Sequence, residues 1–431
     1  MSGGFGGRLA GARGFVIDTE PLRRDPDFRR LWTGQAVNVI GSQITRVALP
    51  YQVFVNTGSM TALAVLTLVQ LIPIMLFSLF GGVIADARDR RRVLLLTQAG
   101  LAATSLALML LSLQASMNMP LLYAVAFVAA GLFAVDSPTR ASATPRLVPP
   151  ERLRAAIALG QLTFNAGGVL GPVIAGLLIS SVGAAGAFGA DVATYFFSMA
   201  MLLRIHPIPP LGGPSKSGLA AVREGLAFVR KRRLILSTFA IDLNAMIFGV
   251  PTAVFPALAL DVFRVGPVGL GLLNAAPAVG AFVAIALSGA ISRVRQIGRG
   301  IIVAVVAWGG AITLFGLSTF FFPLALVFLA IAGAADVVSA VFRSSVVQME
   351  APDELRGRVA AIHILVVTGG PRVGDIESAL VASAIGAQLS VISGGLLCLL
   401  GVIGVMRAFP ELDAHVTPVH PPVLAPADSA G

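Results

Sequence analysis

The chain has 431 residues, of which 56% belong to the set AVILMFWYC and only 12% are charged. Soluble domains carry roughly 25% charged residues. A mean hydropathy of +0.88 therefore excludes a disordered chain, a collagen-like fibre and a disulfide scaffold, and speaks against a soluble enzyme. The single cysteine, Cys398, leaves no internal disulfide and no multi-cysteine metal site. Net charge is +10, and all but two of the 31 basic residues are arginine, so the placement of the arginines must decide between nucleic acid and membrane.

In chain order, apolar stretches long enough to cross a bilayer recur near 31–57, 61–85, 93–114, 120–141, 155–181, 186–204, 234–260, 268–291, 300–319, 321–346, 358–384 and 387–408. Nothing apolar precedes the first, so no cleavable leader is expected and the first span is the insertion signal. The breaks after spans one, three, five, nine and eleven hold no Lys or Arg, and the break after span seven holds only Arg264. The remaining basic residues outside the spans crowd the other ends. Cytoplasmic loops carry the Lys/Arg excess, which places both termini in the cytoplasm and requires an even number of crossings. Short basic patches at span ends, without interleaved aromatics, are not a nucleic-acid surface.

This divides the chain into a cytoplasmic N-terminal tail (1–30), a six-span half (31–204), a linker (205–233), a second six-span half (234–408) and a cytoplasmic tail (409–431). The linker opens with prolines at 207, 209, 210 and 214, which cannot continue a helix. Leu219, Val222, Leu226 and Val229 then recur at helical spacing around Arg223, Glu224 and Arg230. That pattern fits an interfacial amphipathic helix and a solvated linker helix equally well. A weak repeat supports two halves. Pro150-Glu151-Arg152-Leu153-Arg154-Ala155 is echoed by Pro352-Asp353-Glu354-Leu355-Arg356-Gly357, offset by 202, and the same offset carries Gly167-Gly168 onto Gly369-Gly370. Two such halves would hold a binding site between them at mid-membrane.

Between spans two and three, Gly82, Asp86, Arg90 and Arg91 stand in Gly81-Gly82-Val83-Ile84-Ala85-Asp86-Ala87-Arg88-Asp89-Arg90-Arg91-Arg92. Plain positive-inside topology explains the arginines but not the glycine and aspartate with them. The segment resembles the loop-two/three signature of the major facilitator superfamily, G-x-L-x-D-x-x-G-R-R, with Asp89 in place of its second glycine. Together with Ala48-Leu49-Pro50 it is similar to the branch of enterobactin-exporter-like siderophore and drug efflux proteins. The resemblance spans essentially the whole chain. It implies an all-α membrane protein of twelve helices in two pseudo-symmetric bundles, with this loop gating the cytoplasmic side. The matching stretch Gly289–Arg295 lacks the aspartate, so the second half is expected to gate less through its loop.

Span five carries Gly167, Gly171, Pro172 and Gly176. A proline with small residues means a kink and close helix approach. The spacing also resembles the antiporter signature of superfamily exporters, G-x-x-x-G-P-x-x-x-G. Ionisable groups within spans are costly and mark function. Asp136 and Arg140, four apart near the cytoplasmic end of span four, are expected to brace the gate as an ion pair. Asp191 is placed near the outer end of span six, in contact with water. Asp242 has no basic neighbour in sequence and is a candidate proton carrier. Arg372, Asp375 and Glu377 crowd span eleven, where Arg372 and Asp375 can pair at i, i+3; the group is either a proton-coupling site or a neutralised structural cluster. Arg46 either binds an anionic substrate or pairs with an acid of span seven or eleven, the pair being preferred. Gln43, Gln70, Asn165 and Asn244 are candidates for a substrate pocket, although amides in spans often only join helices.

No phosphate loop or dinucleotide fingerprint is present, and no nucleophile–base pair stands out. The sequence thus points to a monomeric secondary transporter of a bacterial cytoplasmic (inner) membrane, not an enzyme, without cofactor or metal. Its partners would be a small-molecule substrate, protons and the lipid bilayer. Proton-coupled export of an amphipathic molecule is the leading expectation; an importer on the same fold and a non-transporting membrane sensor are the rivals.

Overall fold

The computed structural model describes residues 18–210, 226–287 and 296–414. Within these, the chain is helical and contains no strand. The long helices are α1 (Pro26–Thr57), α2 (Met60–Ala87), α3 (Arg90–Ser112) and α4 (Met119–Leu147). A single 53-residue run, Pro150–Leu202, reverses at Gly183 (φ 75°, ψ 177°) and supplies α5 (150–182) and α6 (184–202). Then follow α7 (Arg233–Phe248, prolonged by short turns to Val262), α8 (Gly266–Ala286), α9 (Ile297–Leu317), α10 (Phe322–Glu350), α11 (Asp353–Ile385) and α12 (Ala387–Ala408). The linker positions 211–225, which include Leu219, Val222, Arg223 and Glu224, lie outside the described residues, as do 1–17, the loop 288–295 and 415–431.

Nine helical runs among the described residues are apolar and long enough to span hydrocarbon. The Pro150–Leu202 run holds two legs. Helices α1 and α11 have the length but carry internal charge, Arg46 in one and Arg372, Asp375 and Glu377 in the other. The legs therefore accord with twelve crossings. Lipid leaves no partner for unpaired backbone groups, so each leg satisfies its own ladder.

Large apolar side chains cover the outside: Phe320 is 79% exposed, Leu96 72% and Val303 66%. On a soluble protein such a surface would be an aggregation site; here it faces lipid tails.

Caps explain the helix starts. Ser59 accepts from the Ala62 amide at 3.3 Å, and Asn118 accepts from that of Leu121 at 3.1 Å. Asp89 caps α3, its Oδ1 accepting from the backbone N–H of Arg91 at 2.8 Å and of Arg92 at 3.4 Å. The residue that departs from the superfamily signature thus starts the next helix. At the other end of the bundle gather the positive-φ residues found among the described residues: Gly58, Gly183, Arg264, Gly266 and Gly386. Gly183 and Gly386 are 203 positions apart, close to the offset of the sequence repeat.

Helix α1 packs along both legs of the 150–202 run, α2 lies against α4 and α11, and α8 lies against α5 and α10. Small residues make these approaches possible. A Cβ on Gly167 would meet Val39 at 2.3 Å, and one on Gly171 would meet Gln43 at 2.4 Å. A Cβ on Gly176 would stand 2.6 Å from the Pro267 carbonyl oxygen, and one on Gly271 would stand 2.4 Å from that of Pro172. The glycine–proline motif of α5 is therefore a two-sided seam: Gly167 and Gly171 face α1 within the first half, while Pro172 and Gly176 face α8 of the second.

Replacing Gly271 by alanine forces backbone from backbone across this seam. Overpacking of this kind costs about 1–3 kcal/mol, so G271A should lower the thermal midpoint in detergent by several degrees. Gly160, which has open space around it, serves as the control: G160A should leave the midpoint unchanged.

Candidate functional site

A cavity of about 410 Å³ opens between the two halves, within the range of roughly 300–1,000 Å³ of small-molecule sites. Helices α1, α2, α3, α4 and α6 of the first half contribute walls, and α7, α8 and α11 of the second close it. Leu63, Leu66, Ile74, Phe133, Pro256 and Leu270 make much of the lining apolar, and Thr67, Gln70, Thr104 and Asn274 add polar points. Four charged side chains face it: Arg46, Asp191, Arg372 and Asp375.

Arg46 stands eleven residues from the end of α1, about 16 Å along the axis. Its side chain is open to the cavity and makes no hydrogen bond or ion pair among the described residues. It lies within electrostatic reach of Arg372 and Asp375. Arg372 donates to Gln70 Oε1 at 2.5 Å, joining α11 to α2. Asp375 instead accepts from the Thr252 hydroxyl and, at 2.9 Å, from the Ala253 backbone N–H, where the helical ladder of α7 is interrupted. Arg372 and Asp375, which can pair at i, i+3, stay in each other's field but take different hydrogen-bond partners. Glu377 is partly buried and lines no part of the cavity.

Asp191 does not sit in water at the outer end of α6. It is 1% exposed, because α1 and α3 close over it. Its Oδ2 accepts from Thr45 at 2.6 Å and from Ser105 at 2.7 Å, and Thr194 approaches its Oδ1 at 3.4 Å. Gly41 makes room: a Cβ there would meet Thr194 at 2.0 Å and Asp191 at 2.6 Å. No motif or regular spacing marks Asp191 as part of a site; only the internal position of its charge does.

A second polar cluster lies away from the cavity lining. Asp242, fully buried, receives Arg343 at 2.8 Å, and Arg343 also bonds Ser339 at 2.6 Å and stands 3.8 Å from Asp336. The His363 ring is close by, 6.0 Å from that of Phe239. Asp242 therefore has a basic partner, supplied by α10 about a hundred residues later, which reading outward from Asp242 along the chain does not find.

In the first half, Asp136 and Arg140 meet at 3.2 Å, and Thr97 donates to Asp136 at 2.7 Å. Arg90 reaches Ser142 of α4 at 3.1 Å, while Arg91 donates to the Leu202 and Leu203 carbonyls at 3.0 and 2.7 Å. Arg91 so caps the C-terminal end of α6, where a cation suits the helix dipole. Gly82 and Asp86 fall in α2, and the environment of their side chains lies outside the described residues.

Of the expected pocket amides, only Gln70 lines the cavity. Gln43 packs on Gly171, and Asn165 accepts from Gln161 at 3.3 Å. Asn244 faces α12, bonding the Cys398 carbonyl at 2.8 Å with Gly401 beneath it. That amide joins two helices instead of greeting a substrate.

Two half-bundles around a central cavity, with charge buried in the walls, define a major-facilitator transporter and not an enzyme. Solved structures of that fold superpose closely. A bacterial homologue of the human lysosomal transporter Spinster, crystallised inward-facing, gives a TM-score of 0.71 at 16% identity, covering 92% of this chain and 99% of that one. The nucleoside transporter NupG gives 0.70 at 13% identity, covering 89% and 99%. The family profile described as transmembrane secretion effector matches residues 18–427, and the chain belongs to that family of multi-pass membrane proteins. Among curated relatives, the enterobactin exporter EntS of Shigella boydii serotype 18 is 26% identical over 420 residues, 96% of this chain and 99% of its own. EntS of Escherichia coli O1:K1 is 25% identical over the same extent.

Removing one partner of a buried ion pair leaves a charge without compensation and costs about 3–5 kcal/mol, whereas replacing both by apolar residues is often neutral. The variant R343M should therefore lose much of its thermal stability, and D242L/R343M should regain most of it. Unfolding in detergent, followed by tryptophan fluorescence or a thiol dye, measures both.

Proposed function

We propose that the protein exports small amphipathic molecules, of the siderophore or drug class, across a bacterial cytoplasmic membrane in exchange for protons. It acts as a monomer with both termini in the cytoplasm, and residues 31–204 and 234–408 are the two halves that rock about the cavity. The observation that carries this reading is a cavity shared by both halves with ionisable side chains inside it. Such groups are retained within a membrane at a cost that a function must offset. Alignment with the enterobactin exporters over nearly the whole of both chains supports the outward direction and the substrate class.

In this reading Asp375 is the proton carrier at the cavity. Protonation weakens its charge-assisted hold on the α7 break at Thr252 and Ala253, and so couples proton binding to movement of α7 against α11. Asp242 is a second carrier, its protonation loosening Arg343 and with it α7 from α10. Glu377 has the weaker claim, since it stands off the cavity. Gly82, Asp86, Arg90, Arg91, Asp136 and Arg140 form the gate. Arg90 and Arg91 tie the start of α3 to α4 and α6, so the loop reports the position of α2 to the rest of the first half. The α5 seam, with Gly167, Gly171, Pro172 and Gly176, is the surface on which α8 slides or parts.

The test is transport in everted membrane vesicles. With the interior acidified, wild-type vesicles should accumulate a lipophilic dye or a siderophore. D375N should reduce proton-driven accumulation at least tenfold while exchange of labelled for unlabelled substrate continues. Accumulation only by right-side-out cells would establish import, and a pH-independent wild type would remove protons from the cycle.

A further inference from the structure

The two guanidiniums in the cavity have no counterpart in the roles assigned above. Arg46 comes from α1 and Arg372 from α11, so one belongs to each half. They lie within each other's field, an arrangement of like charges that is unfavourable unless something negative joins them. Asp375 lies in the field of both, but among the described residues no carboxylate stands at ion-pairing distance from either guanidinium. Asp375 is engaged by Thr252 and the Ala253 N–H. Asp191 is enclosed by Thr45 and Ser105. Arg372 spends one donor on the neutral amide of Gln70, and Arg46 spends none among the described residues. What is left is a set of guanidinium N–H groups at a cavity whose other walls are largely apolar, with scattered hydroxyls and amides.

We infer that Arg46 and Arg372 form a clamp for an organic anion, a carboxylate or sulfonate head carried on an apolar body. Guanidinium presents paired donors in a plane, the geometry that matches a two-oxygen anionic head. The apolar body lies against Leu66, Phe133 and Leu270. Because the head bridges α1 and α11, the anion joins the two halves directly, and like-charge repulsion holds the empty clamp apart. This inference rests on the transporter reading and specifies its substrate class.

The experiment uses the full-length protein in lipid nanodiscs with two fluorescent probes of equal size, dansylglycine (an anion) and dansylglycinamide (neutral). Charge-assisted hydrogen bonds contribute about 1.5–3 kcal/mol each, or roughly ten- to a hundredfold in affinity. Wild type should bind the acid at least tenfold more tightly than the amide, with the preference shrinking between 50 and 500 mM salt. R46Q and R372Q should each remove about tenfold from the acid and less than threefold from the amide, and R46K should restore part of the loss. Retained amide binding shows that the variants are folded. A wild type without preference for the acid, or a preference that survives in both glutamine variants, overturns the clamp. Vesicle transport of the same probes separates this from the wider reading. A protein that binds with acid preference but moves neither probe keeps the clamp and loses the transport assignment; one that moves both equally loses the clamp alone.

Discussion

A charge inside hydrocarbon has no water to fall back on, and the rest of this molecule is arranged around that cost. Most arginines are pushed to helix ends, where they touch carbonyls or headgroup water. Those that remain inside are matched in different ways. Arg343 is sealed against Asp242. Arg140 is matched along its own helix by Asp136. Arg46 and Arg372 open into the cavity between the halves, where a solute can reach them. The helices have to pack closely enough to bury the first two kinds and leave the third accessible, which is why backbone-to-backbone seams such as Gly176–Gly271 recur.

The spans were readable because hydrocarbon imposes a length and a composition that a sequence cannot hide. The basic ends were readable for the same reason. The reversal between α5 and α6 was readable too: spans ending at 181 and starting at 186 bracket Gly183, whose positive φ makes the turn. The departure at Asp89 from the superfamily signature becomes intelligible once the residue is seen capping α3, since an aspartate at that place does by side chain what a free loop leaves to water.

The site was legible in part. Residue type and depth singled out Arg46, Asp242, Arg372 and Asp375, because a charge in an apolar run is conspicuous by itself. Partnership was not legible. Arg343 lies near the end of α10, where it reads as one more boundary arginine, and nothing in the linear order joins it to Asp242. Asp191 was misplaced for the converse reason: a lone aspartate near the start of a span looks like a residue at the water surface, and the hydroxyls that enclose it come from α1, α3 and α6. Amides carry still less information. Gln70 and Asn244 look alike in sequence, yet one lines the cavity and the other is fastened to α12.

The reversals at Gly58, Gly183 and Gly386 are so short that neighbouring helices share almost no slack. Each pair they join, α1 with α2, α5 with α6 and α11 with α12, is mechanically a stiff staple whose prongs cannot be displaced separately at that face. Displacement applied at the arginine-rich end of one prong is therefore carried around the bend to the other. The parts with independent freedom in such a machine are staples and not single helices, and its compliance is concentrated at interior prolines such as Pro172 and Pro371, partway down the prongs.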